Sequence, residues 1–230
     1  LPPLFRSRAQ DVLLAAFARA VAQWAGTDAA AFHLEGHGRA GVGEMETTLD
    51  SARTVGWFTS IFPVVIAAAA SWHDALVETK ETMRTFHAEG TSYGEALARG
   101  EIDDSALTSS SRCPIVFNYM GNFDLRSASG AIARADEHVG ATEDDAHKRR
   151  FAIDVDGHLV DGKLDFRFTY SSALLDEATV ARLAQRFQVA LGELSAFAHE
   201  VADVTSTPSD FPLAATVSVA DFKAVLGTAT

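Results

Sequence analysis

The chain has 230 residues, 47% of them hydrophobic, and a net charge of -12. That is enough apolar material for a core, and too negative a balance for a nucleic-acid partner, whose binding draws on clustered Lys and Arg. A single cysteine, Cys113, excludes an intrachain disulfide and the disulfide-stapled secreted class, so a cytoplasmic location is expected.

The start, Leu1-Pro2-Pro3-Leu4-Phe5-Arg6, has neither the charged region nor the long apolar run of a signal peptide. Without an initiator Met it reads as excised from something longer. Val12, Leu13, Ala16, Phe17, Ala20, Val21 and Trp24 recur at helical spacing, which predicts a helix from about Arg8 to Ala25 with Gly26 as a left-handed cap. From Ala30 to Gly38 the chain alternates, Phe32 and Leu34 against His33, Glu35 and His37, as a half-buried strand does. Glu35 falls at or near its end.

Val55 to Ile66, rich in aromatic and β-branched residues, predicts a buried strand, with Pro63 confining it to an edge or bend. The longest apolar stretch, 61–70, is about half the ~20 residues of a membrane span, so no membrane partner is expected. A helix from about Trp72 to His87 follows. Ile115, Phe117 and Tyr119 form a strand ending at Gly121, and Phe151, Ile153 and Val155 begin another. Asp161-Gly162 signals a hairpin. After it, Leu164, Phe166, Phe168 and Tyr170 alternate with Lys163, Asp165, Arg167 and Thr169, predicting one buried and one wet face.

Val180, Leu183, Ala184, Phe187, Ala190, Leu191, Leu194 and Phe197 mark one stripe of a helix from about Asp176 to His199. The small, polar stretches 105–111 and 127–148 read as loops. Thr205 to Pro212, with two prolines, reads as an extended exit segment anchored by its phenylalanine. Residues 1–204 are thus expected to form one unit and 205–230 an exit segment or linker.

The chemistry centres on Glu35-Gly36-His37-Gly38-Arg39, a carboxylate between residues that leave room for a reacting group and permit backbone angles others resist. Such a glutamate either meets a substrate or is simply solvated or paired with Arg39 or Arg53. The spacing His33-x-Glu35-x-His37 offers three possible ligands on one strand face. Same-face neighbours lie about 7 Å apart, too far for all three to chelate one ion, so no metal is expected. A zinc deaminase wants Pro-Cys-x-x-Cys, and Cys113-Pro114 supplies one cysteine in the reverse order.

Three ordered blocks carry a resemblance. Glu35-Gly36-His37-Gly38-Arg39, then Arg53-Thr54-Val55-Gly56-Trp57-Phe58-Thr59 with Pro63, then Phe117-Asn118-Tyr119-Met120-Gly121 resemble successive signatures of the epimerization domains of nonribosomal peptide synthetases, in the condensation superfamily. The Asp161-Gly162 hairpin, the Tyr170-Ser171 strand end and Ser209-Asp210-Phe211-Pro212-Leu213 are similar to the carboxyl-terminal part of such domains, and the resemblance covers nearly the whole chain. The family's amino-terminal lobe carries His-His-x-x-x-Asp, and no His-His pair occurs here. The chain therefore resembles the second lobe only. It departs from the family at Ala40, where Glu is usual, at Asn122, where Gln is common, and before Ser92-Tyr93-Gly94.

The resemblance implies one lobe of a chloramphenicol-acetyltransferase-like fold, a two-layer α/β sandwich with helices on a mixed sheet. It implies inversion at the α-carbon of an aminoacyl or peptidyl thioester on the phosphopantetheine of a peptidyl carrier protein. No cofactor is expected to bind this chain directly. In the family, the counterpart of Glu35 faces a histidine of the other lobe, so the chain alone is expected to be inactive.

Asn118 and Tyr119 are the next candidates, able to hydrogen-bond a carbonyl or enolate oxygen or else to cap and pack. His37 is expected to hold the Glu35 loop through a ring nitrogen, Arg39 and Arg53 to pair with carboxylates, and Trp57 and Phe58 to sit in the core or line a tunnel. The alternative is a non-catalytic, epimerization-like domain that docks a carrier or another protein. A condensation domain is a third reading, against which Glu-Gly-His-Gly-Arg argues.

Overall fold

The computed structural model describes residues 1–39, 53–86, 90–102, 114–123, 137, 140, 149–214 and 216–227. The stretch expected to loop at 105–111 lies outside them, as does 127–148 apart from Glu137 and Gly140. Among the described residues five strands form one mixed sheet: β1 (Ala29–Gly36), β2 (Ser60–Ala67), β3 (Ile115–Asn122), β4 (Ile153–Val160) and β5 (Lys163–Tyr170). The order is β2-β1-β3-β4-β5, with β1, β3 and β4 parallel and the two outer pairs antiparallel. The helices are α1 (Pro2–Phe5), α2 (Ala9–Ala25), α3 (Trp72–Thr85), α4 (Thr91–Ala98), α5 (Glu177–Glu200) and α6 (Val219–Gly227).

α2 lies at the centre because its sequence leaves little surface to wet. Leu13, Leu14, Phe17 and Val21 are buried, and so are the alanines at 15, 16, 18, 20 and 22. Small residues at those positions let neighbouring elements approach closely. Arg8 precedes the helix in an extended conformation, its backbone N–H donating to Asp11 Oδ2 at 2.8 Å. Gly26, at φ 71°, ends it with the expected left-handed cap, the cap N–H donating to the Ala22 carbonyl.

One face of the sheet carries Phe32 and Leu34 of β1, Phe62, Val64 and Ile66 of β2, Ile115 and Phe117 of β3, and Ile153 and Val155 of β4, all buried. α2, α3 and α5 cover this face. Phe17 is the hub, its ring 5.1 Å from Phe32, 4.7 Å from Phe117 and 5.3 Å from Phe187 of α5. Burying each such ring stabilises the fold by about 2 to 3 kcal/mol. The Trp24 indole fastens α2 to the start of α5, donating to the Thr179 carbonyl at 3.1 Å. The Asp176 side chain caps α5 through Thr179 N–H. The Asp161-Gly162 hairpin is present, both residues at positive φ as a two-residue turn requires.

Two expectations about the sheet need correction. The strand expected over Val55–Ile66 begins only at Ser60; Val55 is fully exposed and Trp57 is 90% exposed. The carbonyls of Thr54 and Gly56 accept from the Arg39 guanidinium at 3.0 and 3.5 Å, so a side chain takes backbone groups that a strand partner would need. Pro63 does sit on an edge strand, opposite His33. On β5 the inward face is only half-buried, with Leu164 46% exposed.

The exit segment is anchored differently from expected. Phe211 is 41% exposed and meets Phe222 at 5.6 Å. Asp210 is the anchor: Lys80 of α3, wholly buried, donates from Nζ to both its carboxylate oxygens at 2.7 Å. Asp210 also accepts from Thr207 N–H at 2.9 Å, and Ser209 Oγ donates to Glu81 Oε1 at 2.6 Å. Single 3-10 turns at Pro208–Asp210 and Pro212–Ala214 replace an extended run.

Candidate functional site

β1 and β3 run parallel side by side, so their carboxyl ends open onto the same place, the usual location of ligands in sheets of this kind. Glu35 is the penultimate residue of β1. Asn118 of β3 reaches it from the neighbouring strand, Nδ2 donating to Glu35 Oε2 at 2.8 Å. Both lie beside a cavity of about 530 Å³ whose walls include Tyr119 and His37. Arg8 and Gln10 at the start of α2 and Met83, Arg84 and Phe86 at the end of α3 form further parts of the wall.

Burial pushes the Glu35 carboxyl above the ordinary glutamate range, and the negative charges of Asp156 and Asp154 on β4 push it the same way. The Asn118 hydrogen bond fixes the carboxylate in place. A glutamate so placed gives up its proton less readily than a solvated one and is suited to acid–base work nearer neutrality.

The segment after Glu35 turns sharply. Gly38 sits at φ 62°, and a Cβ there would lie 1.5 Å from the Phe58 carbonyl oxygen, so only glycine fits. Gly36 by contrast is ordinary strand. The His37 ring turns back on the loop, Nδ1 accepting from Arg39 N–H at 3.0 Å. In the neutral ring that puts the proton on Nε2.

Arg39 does not line the cavity; its guanidinium donates to the carbonyls of Thr54 and Gly56. Besides the two carbonyls, its guanidinium stacks over the Phe58 ring at 4.4 Å. Arg53 is exposed, and Trp57, expected in the core or tunnel wall, is on the surface. Neither lines the cavity. His33 is buried against the Phe151 ring at 4.8 Å. Among the described residues no group of three His, Cys, Asp or Glu side chains is placed to hold a metal.

The structure thus brings Glu35, His37, Asn118 and Tyr119 together and leaves Arg53 and Trp57 outside. Sequence reasoning missed the cavity walls from α2 and α3, and the β4 carboxylates. Asp154 and Asp156 were legible as the polar alternates of Ile153 and Val155, but nothing in the pattern placed them two strands from Glu35.

Comparison with known proteins fits this geometry. The Condensation domain family model matches residues 6–212. A linear gramicidin synthase of Brevibacillus parabrevis is 36% identical over 93% of this chain, which spans 4% of that protein. Tyrocidine synthase 1 of the same organism is 32% identical over 90% of the chain, which spans 20% of it. Among solved structures, the epimerization domain from the third module of tyrocidine synthetase B superposes with a TM-score of 0.70 at 29% identity, over 84% of this chain and 43% of that one.

The mixed sheet with flanking helices is the chloramphenicol-acetyltransferase-like sandwich of these neighbours. No helix among the described residues is long and apolar enough to cross a membrane. By the reach of the family model, which matches nearly the whole chain, the chain belongs to the condensation-domain family.

Proposed function

We propose that this chain is the carboxyl-terminal lobe of an epimerization domain, with residues 205–230 as its exit segment. The domain would invert the α-carbon of an aminoacyl or peptidyl thioester carried on the phosphopantetheine of a peptidyl carrier protein. The observation that carries the reading is Glu35, held by Asn118 at the rim of a cavity and kept protonated to higher pH than a solvated glutamate. Similarity to the tyrocidine synthetase epimerization domain supports it.

The α-proton of a thioester is a far weaker acid than any side chain. Its removal needs a positioned base and stabilisation of the enolate, and inversion needs a proton delivered to the opposite face. Glu35 would serve one face. Oε2 is engaged by Asn118, so Oε1 is the oxygen available for transfer. The other face falls to the histidine that the family resemblance implies in the amino-terminal lobe. Tyr119 lines the cavity and would donate to the enolate oxygen. His37 and Arg39 hold the loop that positions Glu35, and no cofactor is bound directly.

The family model is that of the condensation domain, which makes peptide-bond formation the second reading. The two separate on product. Complete protein given one carrier-bound L-aminoacyl thioester should release a D,L mixture on hydrolysis. Retention of L, with product formed only when a second carrier-bound amine is supplied, would favour condensation.

A further inference from the structure

The cavity beside Glu35 has walls of two kinds. Phe62 of β2 and Met83 of α3 line it at depth, 3% and 5% exposed, while Arg8 and Arg84 are exposed at its rim. Phe86 joins the deep wall, its ring 5.3 Å from the Phe62 ring and tilted by 42°. Phe62 stands opposite Leu34, one residue before Glu35, so this wall begins beside the reacting carboxyl. Gly90, at φ 76° before α4, packs against Phe62. A Cβ there would lie 2.0 Å from the ring, so only glycine leaves Phe62 its place.

We propose that Phe62, Met83 and Phe86 form the side-chain subsite of the Glu35 cavity, and that the substrate is an aminoacyl thioester with an apolar side chain, aromatic or branched. The inference rests on the epimerization reading for the reacting group and names the class of side chain that the reading leaves open.

Each wall suits a different part of such a substrate. A volume of about 530 Å³ falls within the roughly 300 to 1,000 Å³ of small-molecule sites and holds more than the reacting α-carbon. Glu35, Asn118 and Tyr119 supply the polar groups that the α-carbon and the thioester carbonyl need. The wall of Phe62, Met83 and Phe86 offers two rings and a thioether, with no strong donor or acceptor. A charged side chain laid against it loses hydration and gains no partner. An apolar one exchanges water for ring and thioether contacts, and the unbranched methionine adapts to side chains of different outline. The arginines do not reverse this preference. They stand at the exposed rim, Arg8 3.6 Å from Asp11, so an acidic side chain that sought them would turn away from the buried wall.

The test is isothermal titration calorimetry of the complete protein with stable amide analogues of L-phenylalanyl, L-leucyl, L-aspartyl and L-lysyl pantetheine, in which nitrogen replaces the thioester sulfur. The phenylalanyl and leucyl analogues should bind at least about tenfold more tightly than the aspartyl and lysyl ones. Phe86→Ala should weaken the phenylalanyl analogue about tenfold and change the charged analogues by less than about twofold. Phe86→Lys should bring the aspartyl analogue ahead of the phenylalanyl one. Thermal melts check that each variant is folded, and the ranking in the parent needs no variant. Parent affinities equal within about twofold, or a ranking led by a charged side chain, overturn the proposal. An apolar preference undiminished in folded Phe86→Ala overturns it as well. Deuterium exchange on the matching carrier-bound thioesters separates the two readings. An apolar preference in binding without α-proton exchange overturns the epimerization reading and leaves the subsite standing, whereas exchange without any side-chain preference in binding does the reverse.

Discussion

The Asn118 amide donates to the Glu35 carboxylate at 2.8 Å from the neighbouring parallel strand, joining the carboxyl ends of β1 and β3. The bond favours the ionised form of Glu35, while burial and the β4 carboxylates favour the protonated form. Asn118→Ala removes the first influence and leaves the others. Glu35 should then hold its proton to higher pH, and exchange at neutral pH should fall by about 5- to 150-fold, a loss of about 1 to 3 kcal/mol. Asn118→Asp sets a second carboxylate against Glu35 and should raise its proton affinity further. Exchange rates measured against pH check both.

The raised proton affinity of Glu35 also has a signature in stability. A carboxyl whose folded pKa lies above its unfolded value binds more protons when folded, so stability falls as pH rises from the unfolded pKa through the folded one. Below the unfolded value the penalty is absent. Glu35→Gln should therefore be more resistant to urea than the parent at pH 7, with the difference fading near pH 4. Equal midpoints at both pH values would show that the glutamate is not disfavoured in its ionised form.

Lys80 and Asp210 give the opposite dependence. Burial pushes the Asp210 carboxyl up, but the hydrogen bond from Lys80, the Thr207 N–H and the charges of Lys80 and Arg6 outweigh it, so the net direction is down. A depressed carboxylate stabilises the fold above its unfolded pKa and loses that contribution as pH falls through the folded value. Acid should thus release the 205–214 segment from α3. Asp210→Ala leaves a wholly buried ammonium without its partner and should cost about 3 to 5 kcal/mol by urea denaturation. Lys80→Met combined with Asp210→Ala should cost less than Asp210→Ala alone.

The elements that could be read from the sequence were those with long, consistent patterns. α2 and α5 carry uninterrupted helical stripes, and Asp161-Gly162 names its own turn. Val55 to Phe58 misled because β-branched and aromatic residues suggest burial wherever they stand, and only the Arg39 contacts reveal that their backbone is occupied. α4 has no buried residue and starts after a left-handed Gly90, so its stripe was too short to see. α6 had a readable signal: Ser218 accepts from Asp221 N–H at 3.1 Å, and Ser-x-x-Asp is a helix-start pattern. Glu35, Asn118 and Tyr119 were legible through their motifs. Asp156 was not, because a charge acting across two strands leaves no local trace.

Gly38 should be sensitive to substitution and Trp57 tolerant. Gly38→Ala places a methyl where the Phe58 carbonyl already lies and adds the strain of a positive φ, so it should cost about 2 kcal/mol or more. Trp57→Ala removes a ring that is 90% exposed and should change stability by less than about 0.5 kcal/mol. Thermal melts of the two variants should differ accordingly.

Transfer of the α-proton by Glu35 is the central claim. The direct measurement is solvent deuterium incorporation at the α-carbon of a carrier-bound aminoacyl thioester, by mass spectrometry, with complete protein and its Glu35→Gln variant. Glu35→Gln keeps an acceptor oxygen for Asn118 and removes the titratable carboxyl. The parent should incorporate deuterium, and the variant should lose at least about a hundredfold in rate. Undiminished incorporation in Glu35→Gln would contradict the claim.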